Sequence, residues 1–107
     1  MKFGMPNLVE CATLRECAEL AKREKLDFIE INMSFPEFTP ERFDIEGAKK
    51  IAKEYGLFYT IHVDEALNPF DFNENVSRCY FSVMRDTIRT ASKIGAKVLN
   101  LHLQKRL

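Results

Sequence analysis

Phe58-Tyr59-Thr60-Ile61-His62-Val63 is a run of strand formers whose two faces differ in chemistry. Side chains on a strand alternate with period two, so Tyr59, Ile61 and Val63 share one face and Phe58, Thr60 and His62 the other. The same split occurs upstream, where Ile29, Ile31 and Met33 oppose Phe28, Glu30 and Asn32. It occurs again downstream, where Leu99, Leu101 and Leu103 oppose Val98, Asn100 and His102 in a strand read as Lys97 to Leu103. One face is wholly apolar and suits packing against helices. The other turns polar toward its C-terminal end.

Helical patterns separate these strands. Thr13-Leu14-Arg15-Glu16 has the form of a capping box, and Leu14, Cys17, Ala18 and Ala21 follow on one helical face, giving a helix from about Leu14 to Glu24. Asp44 is placed to cap a second helix, with Ile45, Ala48, Ile51, Ala52 and Tyr55 on one side and Gly56 at the C-cap. A third spans about Glu74 to Ile94, with Val76, Tyr80, Val83, Met84, Thr87, Ile88 and Ala91 as its expected buried face and Gly95 as its stop. With Lys2 to Met5 as a short first strand, the order is βαβαβαβ. That alternation implies a parallel sheet, because each crossover helix returns the chain to the same end. Strands laid down in sequence order with right-handed crossovers form a barrel wall. A doubly wound sheet is the competing arrangement, but no G-x-G-x-x-G turn follows the first strand. The expected fold is therefore α/β, a single partial domain over residues 1–107: four strands and three helices forming half of a (β/α)₈ TIM barrel.

Bulk properties exclude several classes. Sixteen basic and sixteen acidic side chains cancel, so no electrostatic footprint for nucleic acid is present. No apolar run reaches the roughly 20 residues that span a bilayer, and the N-terminus lacks the apolar core of a signal peptide. Cys11, Cys17 and Cys79 are odd in number and lack a CxxC spacing, which fits a reducing cytoplasm. No Walker loop, nucleophile elbow or HExxH appears.

The candidate chemistry lies on the polar strand face. Burying a carboxylate, two imidazoles and two amides is costly unless they pair or bind something. In a barrel that face is the interior, and its C-terminal rim is where barrel enzymes keep their active sites. The expected cluster is Glu30, Asn32, Thr60, His62, Asn100 and His102. A single strand histidine is more often a satisfied core residue than a ligand; two at matching ends of consecutive strands bring metal binding level with that reading. Two ligands alone do not make a zinc site. Glu30 has three readings: a third ligand, a general base, or an ion-pair partner of Lys2, the last being the preferred structural one. Asp64 and Glu65 read first as a solvated loop, and Asn68-Pro69 as a turn before a substrate contact. Phe35, Phe38, Phe43, Phe70 and Phe72 crowd the two rim loops, either lining a pocket or awaiting cover by another half or chain.

These residues resemble the xylose isomerase-like TIM barrels, which include sugar-phosphate isomerases and epimerases and the endonuclease IV type of apurinic endonuclease. Phe28-Ile29-Glu30-Ile31 is similar to the second strand of the isomerase branch. The segment His62 to Asn68 is similar to the H-x-x-x-x-x-N segment of the endonuclease branch, and Leu99-Asn100-Leu101-His102 to its fourth-strand histidine. The resemblance implies His62 and His102 as ligands of a divalent metal, zinc or manganese. By that match Asn68 is a rim contact to substrate; Asn32 and Asn100 of the polar strand face are the further candidate substrate contacts, and Glu30 the candidate catalytic carboxylate. Asp64 and Glu65 replace the proline and tyrosine of the endonuclease branch, and Leu103-Gln104 replace its Pro-Gly. Those departures favour the sugar branch, with a small sugar or sugar phosphate as substrate, over a zinc-dependent endonuclease.

Such barrels need about 250 residues. The family's later metal ligands have no counterpart among these 107. Four parallel strands leave an inner face uncovered and two edges open. The expectation is an incomplete ligand set in this chain and completion either by a C-terminal half or by self-association as a homodimer. A non-catalytic half-barrel oligomer is the third reading.

Overall fold

A computed structural model describes residues 1–102. It shows an α/β fold with a four-stranded, all-parallel sheet in the order β1-β2-β3-β4, and three α-helices. The strands are β1 Gly4–Pro6, β2 Phe28–Asn32, β3 Phe58–His62 and β4 Leu99–Asn100; the helices are α1 Leu14–Arg23, α2 Ile45–Tyr55 and α3 Glu74–Lys93. A short 3₁₀ turn, Pro36–Phe38, lies in the loop after β2. No helix among the described residues is long and apolar enough to cross a membrane.

Local chemistry sets the helix ends. The Thr13 hydroxyl accepts from Glu16 N (3.1 Å), while the Glu16 carboxylate accepts from Ala12 N (2.9 Å). The reciprocal pairing expected of a capping box is thus present, shifted by one residue at its return bond. Asp44 accepts from Gly47 N at 3.0 Å and starts α2. Gly56 ends it at φ +64°, a left-handed conformation that costs a side chain steric strain and glycine almost nothing. Arg15 on α1 donates to Glu54 on α2 (2.6 Å), and that bond holds the Glu54 carboxyl below its ordinary range.

The strand faces sort as their alternation requires. Ile29, Ile31, Met33, Tyr59, Ile61 and Val63 are buried in one cluster with Cys17, Ala18 and Ala21 of α1, Ala48 and Ile51 of α2, and Ala91 of α3. The Tyr59 hydroxyl donates to the Ala48 carbonyl at 2.7 Å, fixing this face of β3 against α2. Burial pushes the Tyr59 phenol up to about 12 and the Cys17 thiol up to about 11, so both stay protonated at neutral pH. On the opposite face, Phe28 and Phe58 stack with centroids 5.0 Å apart below Glu30 and Thr60. A side chain at position 4 would run into the Phe28 ring, so β1 needs glycine there.

Several elements depart from the pattern-based expectation. The first strand sits at Gly4–Pro6 rather than at Lys2 to Met5, and β4 has two residues rather than seven, with Leu103 outside the described residues. Bonds from Ile61 N to Val98 O (3.0 Å) and from Val63 N to Asn100 O (2.9 Å) hold β4 to β3. Beyond Val63 the preceding chain turns away at Asp64, leaving Leu101 no strand to follow. Leu99 and Leu101 are 37% and 42% exposed, because no described helix covers this end of the apolar face. In α3 only a narrow arc is buried: Thr87, Thr90 and Ala91, with Tyr80 and Met84 half-buried on the same side. Val76, Val83 and Ile88, expected inside, are exposed. Ile88 shares an outward stripe with Phe81, seven residues earlier.

Candidate metal centre at the strand ends

The register brings the polar residues into layers. Asn32, His62 and Asn100 are aligned across β2, β3 and β4, each the last residue of its strand. Glu30 and Thr60 are paired one layer below. All of them face away from the helices, because Tyr59 and Ile61 of the opposite parity are the ones buried beneath α2. The Glu30 carboxylate accepts from the Thr60 hydroxyl (3.3 Å) and from the Asn100 side-chain amide, so it links three strands. The expected Lys2–Glu30 ion pair does not form. Gly4 lies opposite Phe28, so Lys2 falls near the foot of β2, where its ammonium is 3.9 Å from Asp27.

His62 and His102 meet. Their Nε2 atoms are 2.9 Å apart and their ring centroids 4.9 Å apart. His62 Nδ1 lies 3.0 Å from the Val63 carbonyl, which can only accept, so Nδ1 carries the proton and Nε2 presents its lone pair. A backbone carbonyl that fixes the tautomer in this way is the usual second partner of a metal-binding imidazole. Glu65 Oε1 is 4.0 Å from His62 Nε2, and one ligand atom from each of His62, Glu65 and His102 falls within 4.8 Å of the others. Two nitrogens each about 2.0–2.1 Å from one tetrahedral zinc sit about 3.3 Å apart, so the pair would open by a few tenths of an ångström to take a transition metal between them.

The other sequence candidates are placed differently. Asn32 is at the rim, but its side-chain oxygen accepts from Ser34 N at 2.9 Å, closing the turn after β2. Asn68 is half-buried with its side-chain oxygen enclosed and unpartnered among the described residues; no bond joins it to the histidine pair. Phe38 packs between Phe35 and Phe43 at centroid distances of 6.4 and 6.1 Å, whereas Phe70 and Phe72 are exposed. These last two, with Phe81 and Arg78, line a depression of about 570 Å³ at the start of α3, which includes none of Asn32, His62, Asn100 and His102. The histidine cluster, whose geometry is specific, is the better candidate for chemistry.

Sequence reasoning missed Asn7. It lies just past β1 and is 4% exposed; its side-chain oxygen accepts from Asn32 N at 2.6 Å, and its own N–H donates to the Glu30 carbonyl (3.1 Å). It extends the β1–β2 pairing by a side chain beneath the rim. It falls beyond both the expected first strand and β1, so its only sequence signal is an amide directly after Pro6. Glu65, read as a solvated loop residue, was the second omission. No protein-family model matches this chain, and no curated protein matches it.

Proposed function

We propose that this chain is the N-terminal half of a xylose isomerase-like (β/α)₈ barrel that isomerises or epimerises a small sugar or sugar phosphate with a divalent metal, zinc or manganese. The observation that carries the reading is the His62–His102 contact at 2.9 Å, on the polar face of a parallel sheet and at its C-terminal ends. Bound metal would polarise the carbonyl and hydroxyl oxygens of the sugar. His62 and His102 would hold it, with His62 oriented by the Val63 carbonyl. Glu30, aimed by two hydrogen-bond donors, is the carboxylate of this chain suited to take a proton from the carbon beside the sugar carbonyl. Asn100 and Asn32 stand beside it to meet hydroxyl groups, and Asn68 is a rim contact at longer range. The three free cysteines fit a cytoplasmic setting.

The inner face needs a cover. Phe58 and Val98, on that face of β3 and beside β4, expose 41% and 49% of their surface. That exposure favours completion by a further four-stranded half, and a second copy of this chain supplies one by twofold pairing of β4 with β1. The test is transition-metal content, by plasma mass spectrometry, of untagged protein purified without chelator. Metal near one per chain, lost in the His62→Ala, His102→Ala double variant, supports the reading and opens assays on aldose–ketose pairs. Metal at background in both proteins contradicts it.

A further inference from the structure

We infer that Glu65 is the third ligand of the His62–His102 centre, so that one chain holds the metal without a donor from any other segment or copy. The inference rests on the metal reading above and adds to it the source of the third donor. The two imidazoles come from the ends of neighbouring strands; Glu65 comes from the loop that leaves β3, three residues after His62. Its carboxylate approaches the same nitrogen, His62 Nε2, that the Val63 carbonyl leaves unprotonated. All three donor atoms fall within 4.8 Å of one another, a spread that one ion spans with small side-chain adjustments.

The backbone explains why this side chain, rather than Asp64, faces the histidines. Asp64 Oδ1 accepts from Ala66 N (3.0 Å) and from the Ser34 hydroxyl (3.3 Å), so the Asp64 carboxylate is committed to the loop. Ser34 Oγ also accepts from Glu65 N at 3.2 Å, tying the residue to the turn after β2. Glu65 itself is mostly exposed, its side chain 66% accessible, and reaches the histidines from the solvent side. Two neutral imidazoles and one carboxylate form a common catalytic-zinc donor set, which leaves a fourth position for water or substrate oxygen. The charge also balances better: the carboxylate offsets one of the two positive charges that the imidazoles leave uncompensated.

Zinc chloride titrated into the untagged full chain, followed by calorimetry, tests the inference, with cobalt(II) absorption as the second readout. Wild type should bind one zinc per chain, and its cobalt complex should show the intense visible bands of four-coordination. Glu65→Gln, an exposed substitution of equal size, should weaken zinc binding about tenfold or more and alter the cobalt bands, while His62→Ala abolishes binding. Equal zinc affinity and unchanged cobalt bands in Glu65→Gln would overturn the inference while leaving the histidine centre intact. One zinc per two chains would also overturn it, since the third donor would then come from a second copy. No zinc binding by wild type would remove the metal reading as well.

Discussion

Replacing Tyr59 by phenylalanine removes a single oxygen from the interior and tests which way β3 faces. Tyr59 is 1% exposed and its hydroxyl donates to the Ala48 carbonyl of α2 at 2.7 Å. Ala48 lies inside α2, where its carbonyl also serves the helix ladder, so the variant strands no acceptor completely. The expected loss is therefore that of one net hydrogen bond with little added desolvation penalty, about 1 kcal/mol. For a domain of this size that corresponds to a drop in Tm of roughly 4–8 °C. Thermal and urea unfolding followed by circular dichroism measure it, and the urea slope should stay unchanged because the buried surface does. The consequence for the site follows from parity: if Tyr59 faces α2, then His62, three residues on, faces the opposite side. A Tyr59→Phe protein as stable as wild type would mean that the hydroxyl has no partner in α2, and the assignment of the polar face would fall with it.

Alkaline titration gives a second check on the same side chain. A buried phenol raised to about 12 keeps its proton after an unfolded tyrosine, near 10, has lost it. Its contribution to stability is fully present below about pH 10 and is lost as pH rises through 12; the ultraviolet tyrosinate signal should show one of the three tyrosines ionising late, and Tyr59→Phe should delete that step. Asn7→Ala should cost about 1–3 kcal/mol by leaving the buried Asn32 N–H without its acceptor, measured by urea unfolding; an unchanged midpoint would show that the side chain does not hold the rim.

Strand parity was readable in the sequence because the two faces differ in chemistry at every second residue of β2 and β3. The caps at Thr13, Asp44 and Gly56 were readable because each satisfies a local need of its helix end. The extent of β4 was not, since an edge strand is only as long as the partner beside it, and β3 turns off at Asp64. The outward stripe of α3 was not, because Val83 and Ile88 lie on the flanks of the arc that Thr87 and Ala91 occupy, and the same periodicity fits both. At the site, alternation placed Glu30, His62 and His102 on one face, but the nearness of Glu65 depends on how Ser34 and Asp64 fold the loop, and spacing alone does not carry that. The Lys2–Glu30 pairing failed on register, because Lys2 lies four residues below Pro6, the residue opposite Glu30.

The central claim is that two imidazoles at the ends of β3 and β4 form one metal centre, and the chain contains only these two histidines. Long-range ¹H–¹⁵N spectra of uniformly labelled protein therefore report on the site without interference. Before metal is added, His62 should appear as the Nδ1–H tautomer bonded to the Val63 carbonyl. On addition of one equivalent of zinc, the Nε2 resonances of both rings should shift together in slow exchange. If zinc leaves both Nε2 signals where they were, or moves only one, the histidine pair is not a metal centre and the functional reading built on it is wrong.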